Sequence, residues 1–505
     1  MKLVNNLKIE DFQRVIFQNE SVELDESLLA KVENSFQFLR KFSEKKVIYG
    51  VNTGFGPMAQ YRIPEEDKHQ LQYNLIRSHS SGVGVPLKPQ AAKAAMLARL
   101  NTLAQARSGV HPSVIILLKE LINREVTPLI FEHGGVGASG DLVQLAHLAL
   151  VLIGEGEVFY KGERRPAAEV FEELNLKPIQ IELREGLGLM NGTSVMSGIG
   201  ILNSYNTRKL VDISVRLSCA INEIVQAYDD HFSESLNATK RHGGQQKIAE
   251  KMRELLKDSK LIRKREDHLY NKETSEDIFK DKVQEYYSLR CVPQILGPVL
   301  DTLDFAEKVL EDEINSANDN PIIIPEEAHV YHGGNFHGDY VSLEMDKLKL
   351  VVTRLTMLAE RQLNYLLNAK INEILPPFVN LGRLGFNFGM QGVQFTAVST
   401  TAENQTLSAS MYVHSIPNNN DNQDIVSMGT NAAVICSKVI ENAFEVLAIE
   451  LITIVQAIEY LGYQNEVSES TAKLYREIRE RVPPFRDDLI MYPYVEKVKN
   501  YLINF

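Results

Sequence analysis

The chain has 505 residues, of which 44% are hydrophobic and 24% are charged, close to the usual balance of globular proteins. Its length exceeds that of one ordinary compact domain, so length predicts roughly two to four structural units, with enough apolar material for a large core. The net charge of -12 disfavours nucleic acid and anionic membranes as partners. No signal segment begins the sequence and no uncharged stretch is long enough to cross a bilayer, which predicts a cytoplasmic protein without membrane partners.

The pattern along the chain is mostly helical. Residues 91–106 are rich in Ala and Leu and apolar on nearly all sides, as in a buried helix. Short extended pieces are predicted at 158–160, 321–324 and 329–331, where β-branched residues meet turn formers. Residues 341–369 and 432–461 repeat apolar side chains on one helical face, and Gly462 ends the second run. Helices this long need partners, so we expect a helical bundle and association of copies.

The stretch from Gly134 to Glu157 places three glycines before Ala138-Ser139-Gly140-Asp141 and an apolar helical run. One interpretation is a glycine-rich loop in which Ser139 or Asp141 caps the helix. A phosphate-binding loop is disfavoured because no Gly-Lys-Ser/Thr ending follows. A third interpretation is covalent. The Gly140 nitrogen attacks the Ala138 carbonyl, and dehydration of the ring and of Ser139 leaves an electrophilic exocyclic methylene.

Seven motifs in order resemble those of the aromatic amino acid ammonia-lyases, a family that includes histidine, phenylalanine and tyrosine ammonia-lyases and related aminomutases. The resemblance covers essentially the whole chain. The motifs are Tyr49 to Gly56 (YGVNTGFG), Gly137 to Asp141 (GASGD), Asn191 to Thr193 (NGT), Gln284 to Arg290 (QEYYSLR), Asn318 to Pro321 (NDNP), Gly334 to His337 (GNFH) and Asn422 to Asp424 (NQD).

The resemblance implies a mainly α-helical fold, with a smaller N-terminal domain at 1–200 and a long central helical bundle and C-terminal region at 201–505. It also implies that Ala138, Ser139 and Gly140 form a 4-methylidene-imidazole-5-one (MIO) prosthetic group autocatalytically. Ammonia is a poor leaving group, and covalent catalysis by this electrophile would make its elimination from an amino acid easier. The family further implies a homotetramer with active sites shared between subunits.

Three residues take chemical roles from the resemblance. Tyr49 corresponds to the family's base, although locally a buried Tyr with a satisfied hydroxyl is an alternative. Arg290 is expected to clamp the substrate carboxylate, since its planar fork matches a carboxylate; a structural ion pair is the alternative. Tyr287 lies three residues before Arg290, can share a helical face with it, and is implied to orient the prosthetic group.

Four further residues are implied to line the site. Asn191, Gln284 and Asn320 would supply neutral hydrogen bonds to the ring oxygen or the substrate, although each could be an ordinary turn or cap residue. Phe336 resembles an aromatic residue that packs near the prosthetic group, and core packing explains it equally well locally.

Substrate choice depends on two positions that disagree. The pair Ser78-His79 resembles the Ser-His of histidine lyases and also occurs in some bacterial tyrosine lyases. Gln423 stands where histidine lyases have glutamate, and a neutral amide suits an aromatic ring better than an imidazole that can become cationic. We therefore predict a tyrosine ammonia-lyase that gives trans-p-coumarate, with a histidine ammonia-lyase giving urocanate as the alternative. A pocket built around the phenol hydroxyl, with His79 as its partner, would disfavour phenylalanine.

Two other outcomes are less favoured: an aromatic aminomutase, which returns ammonia to the β-carbon, and an inactive helical scaffold. No metal site is predicted, because His332 and His337 lack a zinc-binding pattern around them and the cysteines are unpaired in sequence.

Overall fold

The computed structural model describes residues 1–3, 6–44, 46–271, 275, 277–279 and 282–505. Helices dominate these residues, which confirms the predicted mainly α fold class. The helices are α1 Ile9–Phe17, α2 Glu26–Ser43, α3 Lys68–His79, α4 Pro89–Ala104, α5 Pro112–Asn123, α6 Leu142–Leu152, α7 Ala167–Glu173, α8 Glu185–Met190, α9 Ser194–Ile224, α10 Glu234–Ala238, α11 Gly243–Leu256, α12 Tyr287–Arg290, α13 Val292–Ile314, α14 Asp339–Leu367, α15 Ala369–Asn372, α16 Gln391–Leu407, α17 Gly429–Leu461, α18 Glu469–Arg479 and α19 Tyr492–Ile503.

The helices predicted from the sequence are confirmed with small shifts at their ends. Helix α4 begins with Pro89 in its first turn and stops at Ala104, because Ala106 takes a left-handed conformation with φ of 60°. Nearly every residue of α4 is buried, as its continuous apolar surface predicted. Helix α17 ends at Leu461, and Gly462 follows with φ of 71°, the usual conformation of a residue that terminates a helix.

The strands are short and antiparallel. They are β1 Val83–Pro86, β2 Thr127–Pro128, β3 Phe131–His133, β4 Glu157–Tyr160, β5 Glu163–Pro166, β6 Ile322–Ile324 and β7 His329–Tyr331. Strand β1 pairs with β3, β4 lies between β2 and β5, and β6 pairs with β7. All three of the predicted extended pieces are therefore strands.

The chain divides into two compact units, each assembled from three stretches of sequence. Unit 1 comprises Met1–Tyr205, Ala306–Asp346 and Ser410–Ser437, and unit 2 comprises Asn206–Phe305, Lys347–Ala409 and Lys438–Phe505. Each of the four longest helices contributes residues to both units. The predicted domain division at residue 200 remains a prediction.

Within unit 1, helices α3, α6 and α8 pack against one another, and α4 packs against α5. The long helices also meet inside this unit, where Asn203 on α9 donates to the carbonyl of Ala433 on α17 at 2.8 Å. Within unit 2, the Ser218 hydroxyl on α9 lies 2.9 Å from the amide nitrogen of Gln362 on α14. No helix among the described residues is both long enough and apolar enough to span a membrane.

Candidate active site

The Ala138-Ser139-Gly140 turn in unit 1 is folded tightly on itself. Gly137 and Gly140 have positive φ angles of 78° and 70°, and backbone bridges join Gly140 to both Gly137 and Ala138. A Cβ atom on Gly140 would lie 2.0 Å from the carbonyl oxygen of Gly192, so only glycine fits there. The turn thus brings the Gly140 backbone close to that of Ala138, as a cyclisation between them requires.

Polar side chains from two other segments hold Ser139. The Asn191 amide donates to the Ser139 carbonyl oxygen at 3.0 Å, and the Gln423 amide donates to the Ser139 hydroxyl oxygen at 3.0 Å. The carbonyl of Gly137 accepts from the backbone N–H of Gly338 at 3.0 Å. Three predicted site residues, Ser139, Asn191 and Gln423, therefore meet directly.

Asp141 does not cap the helix that follows it, so the local capping interpretation is wrong for both residues it named. Helix α6 has no side-chain cap, and the Ser139 hydroxyl is bonded to Gln423. The Asp141 carboxylate instead accepts the backbone N–H groups of Val195 and Met196, at 2.8 and 2.9 Å, in the first turn of α9. Asp141 is fully buried, and burial raises its pKa to about 6 despite these hydrogen bonds.

Tyr49 lies in a loop of unit 1 that closes on itself through its hydroxyl. The Tyr49 hydroxyl oxygen accepts the backbone N–H of Gly56 at 2.9 Å, and its ring packs edge-on against Phe55. The Tyr49 backbone N–H points to Nε2 of His332 at 3.4 Å. Residues 332–338 therefore approach both the Tyr49 loop and, through Gly338, the Ala-Ser-Gly turn.

Ser78 and His79, at the end of α3, line a cavity of about 430 Å³ together with Phe55 and other residues of the Tyr49 loop. Nδ1 of His79 lies 3.0 Å from the carbonyl oxygen of Leu75 and 3.0 Å from the hydroxyl oxygen of Ser78. A proton on Nδ1 would satisfy the Leu75 carbonyl, which can only accept. Burial lowers the pKa of His79, which keeps the ring neutral. With the proton on Nδ1, its Nε2 is an acceptor. The lining residues include no carboxylate.

Asn320 contacts the segment 332–338, and Phe336 belongs to that segment. The side-chain oxygen of Asn320 accepts the N–H of Gly333 at 2.8 Å, and its backbone carbonyl accepts from Arg184 at 2.7 Å. Phe336 is half-buried two residues before Gly338, which contacts the Ala-Ser-Gly turn. Both predicted residues are therefore close to or part of residues 332–338, the segment that reaches the Ala-Ser-Gly turn through Gly338.

The remaining predicted residues, Gln284, Tyr287 and Arg290, lie in unit 2 and line a cavity of about 680 Å³. Arg290 donates to the side-chain oxygen of Gln284, and its guanidinium carbon lies 4.7 Å from the centre of the Tyr287 ring. Tyr287 and Arg290 begin and end α12, so the predicted shared face is confirmed. The Tyr287 side chain is 70% exposed.

A family model described as aromatic amino acid lyase matches residues 7–480. The chain belongs to this family. It is 39% identical to a tyrosine 2,3-aminomutase of Chondromyces crocatus over 505 residues, covering 99% of this chain and 95% of that protein. It is also 39% identical to a histidine ammonia-lyase of Caldanaerobacter subterraneus over 490 residues, covering 97% and 93%. The crystal structure of a tyrosine aminomutase from Streptomyces globisporus superposes with a TM-score of 0.96 at 34% identity, covering 100% of this chain and 97% of that one.

A buried ion pair lies beside Asn320 and is not predicted by the local sequence of this lyase-family chain. Arg184 and Asp319 are both fully buried and form two hydrogen bonds of 2.8 and 2.9 Å. Arg184 also binds the carbonyl of Asn320, so the pair fixes the backbone of the Asn-Asp-Asn-Pro motif. Only the presence of Asp319 inside that motif could have suggested it.

A second buried cation is Arg99 on α4, which lies next to Gly192. It donates to the carbonyl of Gly188, and burial lowers its pKa to about 10. A Cβ on Gly192 would lie 2.5 Å from one of its nitrogens, so the guanidinium packs directly against Gly192. Arg99 sits within the Ala-rich helix α4, and a charged residue among apolar neighbours is the sequence feature that indicates a buried, paired cation.

No group of three or more His, Cys, Asp or Glu side chains suited to a metal ion occurs among the residues that the structure describes.

Proposed function

We propose that this chain is an ammonia-lyase that acts on L-tyrosine and gives ammonia and trans-p-coumarate. The observation that carries the proposal is the cavity shared by the Tyr49 loop and the end of α3. Its lining is largely apolar and includes no carboxylate, and it contains the His79 ring, whose Nε2 is an acceptor when Nδ1 carries the proton. A phenol hydroxyl is a donor that suits this acceptor, whereas an imidazole that becomes cationic would be better served by a carboxylate.

We propose that Ala138, Ser139 and Gly140 form the MIO group. The turn fits this group, because Gly140 approaches Ala138 and no side chain stands between them. When formed, the group supplies an electrophile that helps the substrate to release its amine. Asn191 would hold it through the Ser139 carbonyl oxygen, which the cyclised group keeps, whereas Gln423 donates to the Ser139 hydroxyl oxygen, which leaves as water when the methylidene forms.

Tyr49 is proposed to remove the β-proton of the substrate. The N–H of Gly56 donates to its hydroxyl oxygen, so negative charge on that oxygen is met by a backbone donor. Phe55, adjacent to that donor, lines the cavity beside His79. The same loop therefore carries both the proposed base and part of the wall around the aromatic ring.

Arg290 is proposed to bind the substrate carboxylate. Its guanidinium is held by the side-chain oxygen of Gln284 and by the Tyr287 ring, and it lines the cavity of unit 2. Gln284 occupies part of the donor fork, and the other nitrogens can form charge-assisted hydrogen bonds to a carboxylate. Tyr287 is proposed to orient the prosthetic group.

The assembly is proposed to be a homotetramer whose active sites combine residues of different subunits. Helix α16 supports association, since Phe395 and Val398 on it are 68% and 46% exposed. Light scattering on the purified protein tests the mass. A monomer with full activity would contradict shared sites.

The substrate is tested by incubating the pure protein separately with L-tyrosine, L-histidine and L-phenylalanine and following ultraviolet absorbance and ammonia. We expect p-coumarate to form fastest, and faster formation of urocanate would refute the tyrosine proposal. Ser139→Ala serves as the matched control, because it cannot form the methylidene. This variant should show no loss of two water molecules by intact mass and almost no turnover.

A second candidate is a tyrosine 2,3-aminomutase, favoured by the relative of that name at 39% identity. Both reactions begin from L-tyrosine, so the product decides between them. Chromatography of the reaction mixture would show β-tyrosine as the main product for an aminomutase. We expect p-coumarate and ammonia in equal amounts instead.

A further inference from the structure

Residues 282–290, called the clamp segment below, carry the proposed carboxylate clamp Arg290. One residue of α14, Tyr365, contacts this segment at two points. The Lys282 ammonium donates to the Tyr365 hydroxyl at 2.8 Å, and the Tyr286 ring packs against the Tyr365 ring with centroids 5.2 Å apart. Tyr365 also lines the same cavity as Arg290.

Tyr365 stands on a firmly held part of unit 2. Its side chain is 1% exposed, and it lies inside α14, a helix of 29 residues. One turn earlier, the Gln362 amide donates to the carbonyl of Ser288 in the clamp segment at 2.8 Å. The helix therefore grips the segment at Lys282, at Tyr286 and at Ser288, on both sides of Gln284 and Tyr287.

The charges around Tyr365 favour this arrangement. Glu285 is 5% exposed, and one of its carboxyl oxygens has no hydrogen-bond partner among the described residues. Burial raises the pKa of Glu285 while the Lys282 charge lowers it. Burial also raises the pKa of Tyr365, so its phenol stays neutral and its oxygen remains an acceptor for Lys282.

We propose that Tyr365 is a positioning residue for substrate recognition, which fixes the direction of the Arg290 guanidinium by anchoring the clamp segment at Lys282 and Tyr286. This role of Tyr365 rests on the proposed function, in which Arg290 binds the substrate carboxylate. Tyr365 acts through Arg290 rather than on the reacting atoms. Loss of its contacts should therefore weaken binding of the carboxylate and leave recognition of the aromatic ring intact.

Two variants separate the contacts. Tyr365→Phe keeps the ring against Tyr286 and removes the acceptor for Lys282, whereas Tyr365→Leu removes both. We expect KM for L-tyrosine to rise about threefold in the first and about tenfold in the second, with kcat changed less, since lost hydrogen bonds to charged groups have effects of this order. Tyr463→Phe is the matched control, because the Tyr463 hydroxyl also accepts a side-chain hydrogen bond, from Gln226 at 2.8 Å, outside the segment.

Two probes identify which part of the substrate is affected. The probe p-hydroxyphenylpropanoate has the carboxylate but no amine. Its binding should be tightest in the wild type, weaker in Tyr365→Phe and weakest in Tyr365→Leu. Binding of tyramine, which lacks the carboxylate, should stay constant. Equal loss of both probes would mean general loosening and would overturn the proposal, as would unchanged propanoate binding in Tyr365→Leu.

Direct binding measurements also separate this proposal from the proposed function. If the wild-type protein binds p-hydroxyphenylpropanoate but produces no ammonia from tyrosine, the proposed function fails and the binding series still tests Tyr365. Arg290→Met provides the reference for a lost clamp. If that variant binds the propanoate as tightly as the wild type does, Arg290 is not the clamp and the role of Tyr365 falls with it.

Discussion

Asp141 joins the Ala-Ser-Gly turn to the start of α9. Replacing it should lower the free energy of unfolding, and the hydrogen bonds that are lost give the size of the effect. Asp141→Ala removes the acceptor of two buried backbone N–H groups, those of Val195 and Met196, and the partner of the Thr430 hydroxyl. Loss of a helix cap costs about 1 kcal/mol, and each further buried donor left unpaired costs about 1 to 3 kcal/mol. We expect the free energy of unfolding to fall by about 3 kcal/mol at pH 5.

Asp141→Asn separates the acceptor from the charge. The amide keeps one oxygen for the α9 N–H groups and offers a donor to Thr430. The folded pKa of about 6 lies above the ordinary value of 3.8. The protonated Asp141 therefore contributes its full stability below pH 3.8, and the wild type loses this contribution as the pH rises from 3.8 to about 6. The loss approaches about 3 kcal/mol. The Asn variant should therefore gain stability relative to the wild type between pH 4 and pH 7.

The assay is urea unfolding followed by far-ultraviolet circular dichroism on both variants and the wild type at several pH values. Intact mass of each protein reports in parallel whether the triad has lost water. If Asp141→Ala unfolds at the same urea concentration as the wild type at pH 5, the capping role is refuted. A pH-independent difference between Asn and wild type would refute the assignment of a raised pKa.

Three further substitutions test other parts of the site. Gly140→Ala should block water loss from the triad, because its Cβ would lie 2.0 Å from the Gly192 oxygen, and a fully dehydrated soluble variant by intact mass would contradict this. Tyr49→Phe should lower kcat by about 1000-fold, as removal of a general base does, while water loss stays complete; near-normal kcat would exclude Tyr49 as the base. Burial raises the pKa of Glu185 from 4.5 to about 7, so Glu185 alone should contribute a fall in wild-type stability of about 3 kcal/mol between these pH values. Glu185→Gln should remove that fall in urea midpoints, and an unchanged pH profile would count against it.

The sequence determined the elements whose signals are local. Helices α14 and α17 follow from apolar residues repeated at helical spacing, and α4 follows from its Ala and Leu content. Gly462 marks a helix end because a left-handed residue is needed there. Strands β6 and β7 follow from β-branched residues beside turn formers. The family was also accessible, since seven separate motifs recur in a fixed order.

The partners of each site residue could not be predicted, because they depend on residues far apart in the chain. The local pattern predicted that Ser139 or Asp141 caps the following helix. Gln423 lies 284 positions after Ser139 and takes its hydroxyl, while the first turn of α9 takes the Asp141 carboxylate. Arg184 and Asp319, 135 positions apart, pair where no local pattern marks either residue.

The sequence by itself determined the fold class, the family and the composition of the Ala-Ser-Gly turn, because periodicity and motifs are properties of neighbouring residues. Only the tertiary structure decided that Gly192 leaves no room for a side chain on Gly140, that Gln423 contacts the Ser139 hydroxyl, and that Tyr365 holds the clamp segment. Each of these depends on which atoms the fold brings within a few ångströms, and residue spacing along the chain does not determine such distances.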